Sequence, residues 1–282
     1  MHVLLTICQP QPSHLLDARY LNDAAQGGAD AVQCGNEEMK SGPFNIYIPP
    51  QQFAAFYSLC EKAIHAVNPS AVIVLGSLDP HIARYDVQLL LSEAHYLDAM
   101  QQAMNTQVHR GGHWTWRSQI VGLINSWHDG YPSLSVDNLR DLFQFWAFEF
   151  HIDQNQLGDH LWVVEDTGCF KGCGVNANDR QQVAIAHILA LIVDVQTARA
   201  NHVPLFFFSA RDFFASGVYW PIGILNNAGQ AKPLRQDLPM GSRSLIMTCG
   251  NLKTKVINQE QLLASMYQGC RLPDNWYATL VH

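Results

Sequence analysis

The chain has 282 residues, 48% of them hydrophobic and 15% charged, enough for one large α/β domain or one domain with a small appendage. Its 17 basic and 24 acidic residues give a formal charge of −7 without any cluster of Lys and Arg, which argues against nucleic acid as a partner and for a neutral or weakly charged substrate. No apolar run approaches the roughly 20 residues that span a bilayer, and no membrane partner is expected.

The opening MHVLLTICQPQP lacks a basic leader and a small-residue cleavage site, and reads as a buried strand beginning almost at the first residue. In chain order, short apolar runs predict strands over Val3 to Cys8, Ala31 to Gly35, Val72 to Gly76, Ile120 to Ile124, Leu161 to Glu165 and Leu205 to Ser209. Their continuous apolar character, without polar alternation, suits parallel strands covered on both faces. Apolar residues at helical spacing predict helices over Phe53 to Asn68, Ser92 to Asn105, Val136 to His151 and Arg180 to Asn201, with Ser135 and Asn178 as caps. After Pro233 the pattern changes. SLIMTCGNLKTKVIN, Ser244 to Asn258, reads as two strands around a Gly-Asn turn, followed by a short helix near Glu260 to Tyr267. The expected division is therefore 1–238 as the β/α domain and 239–282 as a small β-containing appendage.

Strand alternating with helix implies a parallel sheet with right-handed crossovers. An open nucleotide-binding sheet would carry a glycine-rich turn after its first strand, and QPQPS is not one. Polar and acidic residues gather instead just after several different strands: Asn36 and Glu37, Asp79, His128, Glu165 and Asp166, and Asp212. In barrels, residues after strand ends build the active site. A (β/α)8-type TIM barrel is the expected architecture.

Seven cysteines is an odd number. Cys8, Cys34, Cys60 and Cys249 lie in apolar segments and are expected to be buried free thiols. Cys169 and Cys173 flank a glycine-rich turn suited to a local disulfide, and the absence of a neighbouring His or second Cys pair argues against metal there. The cysteines leave the cellular compartment open. His109 and His113 have the four-residue spacing of some metal ligands, but the intervening Gly pair disfavours the regular helix that would put both on one face.

Two segments carry carboxylates at strand ends. Glu37 follows the strand in VQCGNEEM beside Asn36, with Glu38 expected to point elsewhere; Glu165 ends the apolar run of LWVVEDTG. A carboxylate at the end of a core strand is costly without partners, so its presence needs a reason, structural or chemical. A carboxyl pair on different strands of one barrel suits hydrolysis of an acetal, one protonating the leaving oxygen and the other attacking carbon or activating water. His128 and Tyr131 in NSWHDGYP are placed to orient a carboxylate and hydrogen-bond a sugar. Trp127, Trp220 and Tyr219 are candidates to stack on sugar faces.

From about Val3 to Pro233 the chain resembles clan A of the retaining glycoside hydrolases, TIM-barrel glycosidases with catalytic Glu residues after strands four and seven. GNE, Gly35 to Glu37, is similar to the family segment after strand four, which implies Asn36 as a sugar contact and Glu37 as acid/base. FYSLCEKAIHAVNPSAVIVLGSL resembles the family's fourth helix and fifth strand, and YLDAM, Tyr96 to Met100, the next helix. His128 and Tyr131 stand where the family has His and Tyr after strand six, although two residues separate them here rather than one. LWVVEDTG resembles the strand-seven segment, which maps the nucleophile to Glu165, and YWPIGILNNAGQAKPL resembles the closing segment. The resemblance implies a retaining O-glycosidase for oligosaccharides or glycosides, requiring no metal or organic cofactor.

Two departures stand out. The family has two βα units before the strand that begins at Val3, and it commonly has a Trp at strand eight where this chain reads LFFFSARDF. Six strands before Pro233 therefore predict an N-terminally incomplete barrel with an open sheet, and an inactive carbohydrate-binding or structural remnant is the alternative function.

Overall fold

The computed structural model describes residues 4–7, 26, 29–40, 47–108, 111–126, 138–166, 193–208, 213–215, 218–220, 227–230, 245–256, 261, 264–265 and 268–271. Six strands form one sheet: β1 (Leu4–Ile7), β2 (Ala31–Cys34), β3 (Val72–Leu78), β4 (Ile120–Ser126), β5 (Leu161–Asp166) and β6 (Leu205–Phe208). Their order in the sheet is their order in the chain. A doubly wound sheet reverses direction at a switch point, whereas winding without reversal is that of a β/α-barrel. The fold is thus α/β of the TIM-barrel type, with six of the eight strands of a complete barrel among the described residues. Registers from β1 to β4 are parallel, with Leu4 opposite Ala31, Ala31 opposite Val72, and Val74 opposite Ile120. The register shifts between Leu75 and Ser77, across Gly76.

The helices bury the stripes their spacing predicts. Helix α1 (Pro50–Val67) opens with Pro at its first turn, where the missing N–H costs nothing, and buries Phe53, Phe56, Tyr57, Cys60 and Ile64. It begins three residues before the expected Phe53. Helix α2 (Val87–Thr106) buries Leu90, Ala94, Leu97 and Met104; it begins at Val87 rather than Ser92 because the Asp86 carboxylate already organises the preceding turn, accepting from the Ile82 N–H at 2.9 Å. Helix α3 (Asn138–Phe150) buries Leu142, Phe143, Trp146 and Phe150. Residues 193–200 are helical within the expected Arg180 to Asn201 span. No helix among the described residues is long and apolar enough to cross a membrane.

Two hairpins follow among the described residues. Strands β7 (Phe213–Ala215) and β8 (Val218–Trp220) pair antiparallel, a hairpin the apolar pattern did not mark. Strands β9 (Leu245–Cys249) and β10 (Leu252–Val256) pair antiparallel around Gly250-Asn251, as expected for that segment.

The thiol expectation is corrected. Cys34 is disulfide-bonded to Cys60, and Cys249 to Cys270. An apolar setting is equally suited to a thiol and to half of a disulfide, so the sequence around each Cys did not separate the two; what decides is that the β2 end faces α1, and that Arg271 bridges Thr248 beside Cys249. Cys8, Cys169 and Cys173 lie outside the described residues.

The described chain forms two compact units, Met1–Asn125 with Gln144–Val164, and Ser126–Phe143 with Glu165–His282.

Candidate active site

The buried carboxylates of the first unit, Glu38, Asp79 and Glu93, lie after β2, after β3 and on α2, and the parallel pairing of β2 with β3 puts both C-terminal strand ends on the same side of the sheet. At the end of β2 the chain turns through Gly35-Asn36-Glu37-Glu38. Gly35 has φ +114°, and Glu37 itself has φ +52°, a left-handed conformation uncommon for a residue with a side chain. The neighbouring strand holds that turn: the Glu37 N–H donates to the Ser77 carbonyl at 3.1 Å and to Ser77 Oγ at 3.3 Å, while Ser77 Oγ donates to Asn36 Oδ1 at 3.0 Å. Non-glycine residues in sparsely populated backbone regions persist where surroundings enforce them, and they cluster at functional sites. Glu37 is partly exposed, with its Oε1 3.2 Å from Lys40 Nζ.

Glu38 does the opposite of its neighbour. Its carboxylate turns inward and is 2% exposed. It accepts the Asn36 N–H in a short hydrogen bond, and its carbonyl accepts the Ile48 N–H at 2.9 Å. The space it fills exists because Gly35 and Gly76 lack side chains: a Cβ at Gly35 would collide with the Glu38 carboxylate and the Phe53 ring, and one at Gly76 would press on the same groups at 3.1 Å. Burial pushes the Glu38 carboxyl up to about 8, against the backbone hydrogen bonds it accepts and with help from the nearby charges of Asp79 and Glu37. Tyr96, whose hydroxyl donates to the Ile48 carbonyl at 2.7 Å, is raised by its own burial and then by the Glu38 charge. Glu38 points away from Glu37, as expected; what the sequence reading missed is its burial inside the turn. The available signal was a glycine at the ends of two adjacent strands, in CGNEE and LGSLD, which leaves room for a side chain between them.

After β3, Asp79 and His81 meet Glu93 from the second turn of α2. Glu93 Oε1 accepts the Asp79 N–H at 2.8 Å and lies 3.2 Å from His81 Nε2. Burial, then the Glu93 charge, pushes the Asp79 carboxyl up to about 7. Burial also raises Glu93 despite its His81 hydrogen bond; for His81 itself burial opposes the charge, but the Glu93 bond and charge outweigh it and raise the ring.

Glu165, in the second unit, is the penultimate residue of β5 and is fully buried. Trp220 ends β8 with its backbone opposite Phe213. Trp127, His128, Tyr131 and His109 lie outside the described residues.

No family model matches the sequence, and no curated protein matches it. Solved glycoside hydrolase and transglycosylase structures resemble it. A glucosidase from Croceicoccus marinus aligns with 81% of this chain at 10% identity and a TM-score of 0.45, and this chain spans 47% of that protein. A curdlan-specific exo-beta-1,3-glucanase from Blastomyces gilchristii, solved with glucose, aligns over 78% of this chain and 87% of its own at 13% identity and 0.40. A beta-1,3-glucanosyltransferase from Rhizomucor miehei, an active-site mutant with laminaritriose, covers 83% of this chain and 96% of its own at 12% identity and 0.34. At these scores the likeness carries no argument about activity or substrate.

Proposed function

We propose that the protein is a retaining glycoside hydrolase acting on an oligosaccharide or glycoside, with Glu37 as acid/base and Glu165 as nucleophile. The observation that carries this reading is the Asn36-Glu37 turn: a partly exposed carboxylate, held in a left-handed conformation by Ser77 at the C-terminal end of a barrel-type strand. Asn36 spends its carbonyl oxygen on Ser77, which leaves its amide nitrogen to donate to a sugar hydroxyl. Glu165 rests on the LWVVEDTG resemblance and on its position at the end of β5. His128, Tyr131, Trp127 and Trp220 are proposed as sugar contacts on sequence grounds.

In the first step Glu37 gives its proton to the glycosidic oxygen while Glu165 attacks the anomeric carbon, forming a glycosyl ester and releasing the leaving group. In the second, the Glu37 carboxylate takes a proton from water, whose oxygen displaces Glu165. A second reading, a carbohydrate-binding barrel without turnover, is favoured by one observation: Lys40 already occupies Glu37 Oε1 at 3.2 Å, and a substrate oxygen must compete with it.

A panel of aryl glycosides separates the two. Turnover by the wild type, falling by several orders of magnitude in Glu165→Gln and partly restored to Glu165→Gly by azide with a glycosyl azide of inverted configuration, supports the hydrolase. Sugar binding without any turnover supports the second reading.

A further inference from the structure

We infer that Asp79, His81 and Glu93 form a binding site for a divalent transition-metal ion, of the class to which Zn²⁺ and Co²⁺ belong. Each residue offers one ligand atom, and these atoms all lie within 4.8 Å of one another. Asp79 and His81 follow β3 closely, and Glu93 stands on the rigid second turn of α2. With bonds of about 2.0–2.1 Å, adjacent ligand atoms lie about 2.8–3.0 Å apart around an octahedral ion and about 3.3–3.4 Å apart around a tetrahedral one. His81 Nε2 and Glu93 Oε1 are already 3.2 Å apart, so side-chain adjustment falls mainly to Asp79.

The second observation concerns lone pairs. Asp79 Oδ1 and Glu93 Oε2 are buried without a hydrogen-bond partner among the described residues, on side chains that are 5% and 3% exposed. A buried carboxylate oxygen without a partner loses its hydration and gains nothing in return. One dipositive ion supplies a partner to Asp79 Oδ1, and to Glu93 Oε2 when Glu93 binds through both oxygens, and it neutralises the combined charge of the two carboxylates, with the imidazole as a neutral third ligand. Binding releases the proton that His81 Nε2 and Glu93 Oε1 share. Three protein ligands, one of them nitrogen, suit Zn²⁺ or Co²⁺ better than Mg²⁺ or Ca²⁺, which prefer all-oxygen shells. The Asp-x-His spacing after β3, with Glu93 twelve residues beyond His81, is distinct from the His109 and His113 pair.

The test is a Co²⁺ titration of the tag-free, chelator-treated full chain, followed by the visible ligand-field bands of the bound ion and by displacement with Zn²⁺. The site predicts saturable one-to-one binding, weakened at least tenfold in His81→Asn with an unchanged far-UV circular dichroism spectrum. Should that variant lose its fold, Asp79→Asn is read by the same criterion. No saturable binding by the wild type, or binding weakened less than tenfold in the folded variant, overturns the site. Because the titration involves no sugar, its outcome is independent of the proposed hydrolase activity.

Discussion

The turn after β2 and the β9–β10 hairpin both reverse the chain at a glycine, yet they are built by opposite means. At Gly35 the turn buries a carboxylate: Glu38 lies inside, and Glu37 is held in a left-handed conformation by the adjacent strand. At Gly250 a Cβ would meet open space. The hairpin's second strand is exposed over Leu252 to Lys255, buries only Val256, and is fastened by the Cys249–Cys270 disulfide and the Thr248–Arg271 bridge. The first turn carries costs in desolvation and backbone conformation that a purely structural loop would shed. The second carries none and needs a covalent staple because it has little core of its own. Costly local structure is where function is to be sought.

Substitutions in the two turns separate these two designs. The largest effect is expected for Gly35→Ala, which adds a Cβ at φ +114° against Glu38 and Phe53. A loss of about 4 kcal/mol in denaturant unfolding is expected, while Gly250→Ala, strained at φ +63° but meeting no atoms, costs about 1 kcal/mol.

Next, replacing Cys249 and Cys270 by Ser opens a loop closed across a separation of 21 residues. Chain entropy sets the cost at about 3 kcal/mol. The loss should appear as faster amide exchange over β9 and β10, with turnover of an aryl glycoside unchanged.

An effect of similar size comes from Glu38 and pH. Its carboxyl is raised from 4.5 to about 8 on folding, so between those values the folded chain holds a proton that the unfolded chain has released. Stability from this group is fully present below pH 4.5 and is lost as pH rises through 8. The midpoint of unfolding should fall between pH 5 and pH 8 by the equivalent of about 3.5 kcal/mol. Glu38→Gln, which cannot ionise, should flatten that slope and be the more stable protein at pH 8. The smallest effect is Lys253→Ala on exposed β10, within about 0.5 kcal/mol of wild type.

The strands were legible in the sequence because parallel, doubly covered strands need unbroken apolar runs. VIVLGSL and LWVVED each contain such a run at the position where the sheet forms. The hairpin around Gly250-Asn251 was legible from its turn. The β7–β8 hairpin was not, since strands of three residues are too short for any period to show. The disulfides were hidden for a different reason: Cys34 and Cys60 meet only once α1 packs on β2, and local composition records no such contact. That Glu37 and Glu38 part ways was legible, but the burial of Glu38 and the left-handed turn at Glu37 were not, because strand alternation ends at Cys34. Beyond it, the direction of each side chain depends on Gly35, Gly76 and Ser77, two of which belong to another strand. The Asp79–His81–Glu93 group was split in the same way, between the end of β3 and the second turn of α2.

In the proposed mechanism the β2 turn presents Glu37 for proton transfer, while the buried Glu38 fills the turn's interior. The most direct measurement compares Glu37→Gln with wild type on two aryl glycosides of one sugar, one with a poor leaving group and one with dinitrophenolate. If Glu37 is the acid/base, the expected result is a loss of about 10²–10⁴ in kcat/KM on the poor leaving group, a much smaller loss on the dinitrophenyl glycoside, and an unchanged Tm. Equal activity of Glu37→Gln and wild type on the poor leaving group would contradict it.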